Sequence, residues 1–155
     1  MLTLSRFKRA TTYTLTAGPD GTVIEAVADN SASGLMHPCS INLEVTPWLT
    51  WRWRVDQLIS SADNSRPHLE DSPVRVIVAF AGDKASLDPS EQLVFDQVKM
   101  FTGQEMPYAT LMYIWENQQA VGTVIDSTHT SRVKMIVAAS GSAGLGEWRT
   151  FTRNI

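Results

Sequence analysis

Alternation of apolar and polar residues around a cluster of tryptophans is the feature that most constrains the fold of this chain. It lies in residues 47–55, where Leu49, Trp51, Trp53 and Val55 are separated by Thr50, Arg52 and Arg54. Successive side chains of a strand point to opposite faces of a sheet, so the pattern predicts one buried face and one solvated face. Large indole rings dominate the core that they enter. We therefore expect the central strand of an antiparallel sheet, with Trp51 and Trp53 in the core.

Other segments show strand patterns of the same kind. Residues 11–16 and 22–28 flank the sequence Gly18-Pro19-Asp20-Gly21, and Asp-Gly is a strong turn signal, so these segments predict a hairpin. Residues 39–45 alternate and predict a half-buried strand, whereas the β-branched run at 74–81 predicts a strand buried on both faces. Further strands are expected at 111–115, 123–126, 132–138 and 147–155, with a tight hairpin at the glycine-rich residues 140–146.

One helix is predicted among these strands, at about residues 88–102. Asp88 suits the N-cap, Pro89 the first turn and Glu91 a capping box, and Gly103 is placed to end the helix. Roughly eight or nine short strands without long helices between them favour an all-β, antiparallel β-sandwich, jelly-roll-like in type. The 155 residues suit a single domain that spans 1–155.

Composition excludes several classes of protein. The net charge of -3 argues against a nucleic-acid partner, because surfaces that bind phosphates are normally strongly basic. The sequence has no apolar run that approaches the roughly 18 residues of a membrane span, and its first ten residues show no signal peptide. The single cysteine, Cys39, suits a reducing compartment but is also compatible with the bacterial periplasm.

Motifs for catalysis and metal binding are weak. The three histidines, His37, His68 and His129, lie far apart in the sequence and lack zinc-site spacing. A structural calcium site is the more plausible metal site, built from loop oxygen donors; these are Asp29, Asn30, Asp63, Asn64, Glu70, Asp71 and Asp126. A hydrolase would need Ser142 with His129, or a carboxylate pair such as Glu70 with Asp71 or Glu116 with Glu147.

Aromatic residues near strand ends are the best functional signal. Trp48, Tyr108 and Trp115 are the candidates to face a ligand, because sugar rings stack on flat apolar surfaces that also carry a few polar groups. Arg52 and Arg54 would bond the sugar hydroxyls. The alternative is that both arginines pair with Glu44 or another carboxylate across the sheet.

Several segments resemble the bacterial DUF3047 family, a domain of unknown function. They are Trp51-Arg52-Trp53-Arg54-Val55, Ala32-Ser33-Gly34-Leu35, Asp71-Ser72-Pro73-Val74-Arg75-Val76, Tyr113-Ile114-Trp115 and Leu145-Gly146-Glu147-Trp148 leading to Arg153-Asn154-Ile155. The resemblance implies an extracytoplasmic, jelly-roll-like sandwich, similar in outline to carbohydrate-binding modules, with no established activity. It also implies a further Asp/Thr/Asn-rich segment after Ile155, so we expect this chain to be truncated or a short variant.

The function expected from these observations is a non-catalytic binding module, periplasmic or secreted, with carbohydrate as ligand. Its partner would be a glycan or a protein, without a nucleic acid or a transmembrane segment. The first alternative is an accessory subunit of a larger protein assembly, and the second is a hydrolase that acts on esters or glycans. No cofactor is expected, apart from the structural calcium considered above.

Overall fold

A computed structural model of the protein describes residues 2–3, 9–102, 105–127 and 130–155. The strands are β1 (Leu2–Thr3), β2 (Thr12–Gly18), β3 (Gly21–Val27), β4 (Ser33–Gly34), β5 (Trp48–Trp53), β6 (Arg75–Phe80), β7 (Ala109–Glu116), β8 (Val124–Asp126), β9 (Val133–Ser140) and β10 (Arg149–Asn154). One α-helix, α1 (Pro89–Thr102), and a short 3-10 helix, Lys84–Ser86, lie between β6 and β7. The protein is thus mostly β, with 39% strand in several small sheets, none of which is closed within the described residues.

The chain divides into two compact units, Met1–Pro47 and Trp48–Ile155. The first unit contains the predicted hairpin, in which β2 pairs antiparallel with β3 from Thr12 opposite Val27 to Gly18 opposite Gly21. Gly21 has a φ of 129°, which a residue with a side chain rarely adopts, so glycine is needed at this end of the turn. In the same unit, β1 pairs antiparallel with β4.

The predicted strand at residues 39–45 is wrong. Residues 43–45 form a turn instead, organised by Asn42, whose Oδ1 accepts the Glu44 N–H at 2.9 Å. The Asn42 carbonyl accepts the N–H groups of Val45 at 3.2 Å and Thr46 at 2.9 Å. Asparagine favours such turns because its side chain competes with the backbone for these hydrogen bonds. Val45 is consequently 75% exposed rather than part of a buried face.

In the second unit, four strands form a mixed sheet in the order β6-β7-β9-β8. β6 and β8 pair antiparallel with their neighbours, whereas β7 and β9 run parallel. The expectation of a purely antiparallel arrangement is therefore wrong. After β7 the chain forms β8 at the far edge of the sheet and then returns as β9 between β7 and β8. β9 therefore runs antiparallel to β8 and parallel to β7.

β6 lies at the edge of this sheet, so the prediction that it is buried on both faces is also wrong. Ile77 is 48% exposed, and the remaining residues of β6 are half-buried or exposed. Arg75, at the start of the strand, pairs with two carboxylates. Its guanidinium lies 3.4 Å from Glu70 and 3.9 Å from Asp71.

The predicted hairpin at residues 140–146 is wrong, because this segment joins β9 to β10 and these strands belong to different sheets. β10 instead pairs antiparallel with β5, from Arg149 opposite Trp53 to Asn154 opposite Trp48. Within the described residues β10 is the hydrogen-bonded neighbour of β5, which makes β5 one strand of a two-stranded sheet and not the predicted central strand.

An aromatic cluster joins the β5–β10 pair to the mixed sheet. The ring centroid of Trp51 lies 4.7 Å from that of Tyr113 and 5.3 Å from that of Phe151. Trp53 packs 6.4 Å from Trp115 and 5.0 Å from Phe151. The predicted core positions of Trp51 and Trp53 are confirmed, since Trp53 is 5% exposed and Trp51 packs against the same buried cluster.

Helix α1 is confirmed close to its predicted bounds. The Asp88 carboxylate accepts the Ser90 N–H at 2.9 Å, as an N-cap should. Glu91 does not complete the capping box, because its carboxylate binds Arg132 instead. The proposed end signal, Gly103, lies outside the described residues. In the described part of the chain, helices lack the length and apolar character required to cross a membrane.

Replacing Trp53 with alanine should lower the free energy of unfolding by about 3–5 kcal/mol, because it empties the centre of the aromatic cluster. Trp48→Ala is the matched control, since it removes the same side chain from the exposed end of the same strand. That variant should change stability by about 0.5 kcal/mol or less. Urea denaturation measures both values, and equal losses would contradict the burial of Trp53 in the cluster.

Candidate functional site

The solvated side of the β5–β10 pair is an open face that carries aromatic and hydroxyl groups. We call it the outer face, and define it as Trp48, Thr50, Arg52, Trp148, Thr150, Thr152 and Asn154. Its origin is the alternation of both strands: the aromatic residues Trp51, Trp53 and Phe151 point inward, so their neighbours point outward. All members are exposed except Trp148, which is half-buried.

Contacts within the outer face order its polar groups. Thr50 and Thr152 lie opposite each other in the register, and their hydroxyls are 3.0 Å apart. The Arg52 guanidinium lies over the Trp148 ring, 5.4 Å from its centroid. Trp48, directly opposite Asn154, leaves 65% of its surface exposed. The face therefore offers an accessible aromatic ring at one end and a cation held on an aromatic ring at the other.

The structure separates the five predicted ligand-binding residues. Trp48 and Arg52 lie together on the outer face, whereas Arg54 follows the end of β5 and its Nε lies 2.7 Å from Asp56 Oδ1. Arg54 thus has a carboxylate partner, but this is Asp56, two residues along the chain, and not Glu44 or another carboxylate across the sheet. Tyr108 lies elsewhere, next to Arg132.

Trp115 is a core residue and not the predicted ligand-facing one. Its side chain is fully buried, and its indole N–H donates to the Gly141 carbonyl at 3.0 Å. The position follows from the burial of β7, whose residues 113–116 are all buried. Sequence reasoning placed Trp115 at a strand end, but β7 extends one residue further and is covered there by the loop after β9.

A cleft of about 390 Å³ lies where helix α1 begins near the mixed sheet. It is lined by Phe80, Glu91, Ala109, Thr110, Leu111, Ser131, Arg132 and Lys134. Sequence reasoning missed it, because Glu91 and Arg132 are far apart in the chain. The alternation around Arg132 and Lys134 predicts a strand, but it does not indicate that a helix lies beside these residues.

Glu91 and Arg132 form a two-point ion pair in the wall of this cleft. The Arg132 Nε donates to Glu91 Oε1 at 3.0 Å, and Nη2 donates to Oε2 at 2.8 Å. Ser131 adds a hydroxyl contact to the same carboxylate at 3.3 Å, and the guanidinium lies 4.6 Å from the centre of the Tyr108 ring. Hydrogen bonds from Arg132 lower the pKa of Glu91, and those to Glu91 raise the pKa of Arg132.

Glu116 is buried, and its carboxylate accepts hydrogen bonds from backbone N–H groups. Its Oε2 accepts the N–H groups of Gln118 and Gln119, and its Oε1 lies 3.4 Å from the Asn64 N–H. Glu116 is 1% exposed and Asn64 is 2% exposed. The carboxylate therefore ties the turn after β7 to the loop that contains Asn64, which gives this predicted member of a glycosidase pair a clear role in folding.

Several of the residues considered for metal binding are engaged in other contacts. Asp29 pairs with Arg9 at 3.1 Å, Asp126 pairs with Lys134, and Asp63 accepts the Ser65 N–H at 3.0 Å. His37 and His68 are exposed, and His129, which the serine hydrolase hypothesis required, lies outside the described residues. Across the described ranges, three or more His, Cys, Asp or Glu side chains do not gather into a metal-binding group.

Comparison with known proteins gives a match over the whole chain. The model of the DUF3047 family, described as a protein of unknown function, matches residues 1–155. No curated protein and no solved structure matches.

Glu91→Gln should lower stability at about pH 7, because it removes a carboxylate that Arg132 holds ionised. The pKa of Glu91 lies below its ordinary 4.5 in the folded protein, so its stabilising contribution is complete above that value and disappears as the pH falls through the folded pKa. Urea unfolding across this range should show wild type and variant converging in acid. Glu147→Gln, a change at an exposed carboxylate, controls for the lost charge; a gap that stays constant with pH would contradict the pairing.

Proposed function

The chain belongs to the DUF3047 family, and we propose that it is a non-catalytic, extracytoplasmic binding module that holds a carbohydrate on its outer face. The observation that carries the proposal is Trp48, whose ring is 65% exposed beside a row of threonines. Exposure of a large apolar ring to water is unfavourable, so such a ring is typical of a site where a ligand covers it. The extracytoplasmic location rests on the family resemblance alone.

The chemistry of the outer face suits a sugar. An apolar sugar face can stack on the flat indole of Trp48, while neighbouring hydroxyls reach polar groups. Asn154 lies opposite Trp48 in the register, and the Thr50 and Thr152 hydroxyls come next along the face. Amides and hydroxyls both donate and accept hydrogen bonds, as sugar hydroxyls require. An extended strand pair also matches a linear polymer better than a compact ligand.

The finer fold proposal is a β-sandwich. Its support is the packing of the β5–β10 pair over the mixed sheet through Trp51, Trp53, Tyr113 and Phe151. Two β layers that bury an aromatic core between them are the basic unit of sandwiches. The parallel pairing of β7 and β9 departs from a jelly roll, whose strands are antiparallel, so we retain the sandwich as the proposal.

Trp48→Ala should weaken glycan binding at least about tenfold, since the loss of one stacking ring removes on the order of 1.5 kcal/mol or more. The measurement is a titration with cello-, xylo- and chito-oligosaccharides, followed by the fluorescence of the tryptophans or by calorimetry. Thr152→Val tests the hydroxyl row while it keeps the shape of the side chain.

Met100→Ala is the matched control, because it removes an apolar side chain that is 73% exposed on helix α1, in the same unit. It should leave glycan affinity unchanged. If all oligosaccharides fail to bind the wild-type protein, or if Trp48→Ala binds them equally well, the carbohydrate proposal is wrong.

The second candidate is an accessory subunit of a larger protein assembly, and one observation favours it. Leu15 and Ile24 face each other across the β2–β3 hairpin and are 75% and 57% exposed. Both strands of this hairpin also have a free edge within the described residues. Exposed apolar pairs beside open strand edges are typical of surfaces that accept another chain.

The mass of the native particle separates the two candidates. A free binding module should have a mass near 17.1 kDa by light scattering or native mass spectrometry of the protein as isolated from its source. A larger, mixed particle that dissociates in the Leu15→Glu variant would support the subunit instead. Thr12→Glu, at an exposed position on the opposite face of β2 and across from Val27, is the control for the added charge, and it should leave the particle unchanged.

A further inference from the structure

The cleft beside helix α1 lies at one end of the sheet face that packs against the aromatic cluster. Leu111 and Tyr113 point to the same side of β7, since they are two residues apart. Tyr113 is 1% exposed under the aromatic cluster, whereas Leu111 is half-buried and forms part of the cleft floor. Phe80 and Ala109 are directly opposite in the register and extend this floor. The floor is therefore apolar.

The cleft wall carries a fixed arrangement of charges. Arg132, just before β9, and Lys134, on β9, bring two positive charges to the lining, against the single negative charge of Glu91. Both oxygens of Glu91 already accept hydrogen bonds from Arg132. Lys134 pairs with Asp126 beside the cleft, and its ammonium, on a side chain that is 46% exposed, keeps N–H donors available near the mouth.

We propose that this cleft binds a small carboxylate with an apolar body. The apolar part lies on Phe80, Ala109 and Leu111, and the carboxylate binds the Lys134 ammonium. An ammonium has three N–H donors, and Asp126 occupies one of them in the described contacts, so Lys134 can bind a second carboxylate. The volume of about 390 Å³ falls within the size range of small-molecule sites.

Two features favour an anion over a neutral sugar in this cleft. The side chains of Phe80, Ala109 and Leu111 offer no hydrogen bonds, so a sugar would find its polar partners only at Thr110 and in the wall. Glu91, which would be the strongest acceptor for sugar hydroxyls, is engaged by Arg132 and Ser131. The ion pair instead acts as a rigid support, which holds the β9 end of the cleft against the first turn of α1.

Benzoate is the probe, because it combines one carboxylate with a flat apolar ring. Titration of the full chain, followed by amide NMR, should shift the signals of Ala109 and Leu111, with a Kd of about 1 mM, the weak affinity of a ligand with few atoms. Benzyl alcohol keeps the ring and lacks the charge, and it should bind at least about tenfold more weakly.

Lys134→Met should weaken benzoate binding about tenfold, because it removes the charged donor. Lys99→Met is the matched control, since Lys99 also pairs with an exposed carboxylate, Glu105, but lies outside the cleft. It should leave the affinity unchanged. Ala109→Leu fills the floor and should abolish binding whichever donor holds the carboxylate.

The proposal is overturned if benzoate does not bind, if benzyl alcohol binds equally well, or if both cleft variants retain the wild-type affinity. Trp48→Ala should leave benzoate binding unchanged, because the outer face lies on the other side of the β5–β10 pair. Failure of the glycan proposal and failure of this one are therefore distinguishable.

Discussion

The packing of five aromatic rings between the β5–β10 pair and the mixed sheet is the interaction on which the second unit depends. Trp51, Trp53 and Phe151 come from the β5–β10 pair, and Tyr113 and Trp115 come from β7 at the centre of the mixed sheet. Guanidinium groups lie at the edge of this cluster, because Arg149 and Arg153 lie within 6 Å of the Phe151 ring. Such contacts let cations border an apolar core without being buried in it. The cluster thereby fixes the orientation of both layers.

That orientation determines which surfaces remain for binding. Because alternate residues of β5 are committed to the core, Trp48, Thr50 and Arg52 are exposed together, although nothing in their own chemistry requires it. The β5–β10 pair does not cover the end of the mixed sheet where β6 stops and β7 begins. Phe80 and Leu111 therefore remain accessible there as an apolar floor. One packing interaction thus leaves two surfaces of different chemistry, an aromatic and hydroxyl face and a cleft with an apolar floor and a lysine at its mouth.

The sequence predicted the features that depend on local pattern. The alternation around Trp51 identified the buried face, Asp20-Gly21 located the hairpin, and Asp88-Pro89 located the start of α1. It failed where distant residues or competing local bonds decide the outcome. The alternation at 39–45 gave way to the turn around Asn42, and the parallel pairing of β7 with β9 depends on where β8 is inserted. The Glu91–Arg132 pair joins residues 41 positions apart, and no spacing rule indicates it.

Trp48 and Trp115 show why the candidate site needed the structure. Both are tryptophans near a strand end, and both were equally suitable for a ligand by sequence. β7 is covered on both sides, so the ring of Trp115 is buried and its N–H is used by Gly141. β5 is covered on one side, so Trp48 keeps its ring in solvent. The difference lies in the number of layers that cover each strand, a property of the assembled sheets rather than of either residue. The Trp48 side chain is exposed because one face of β5 packs on the aromatic cluster and the other face is open to solvent.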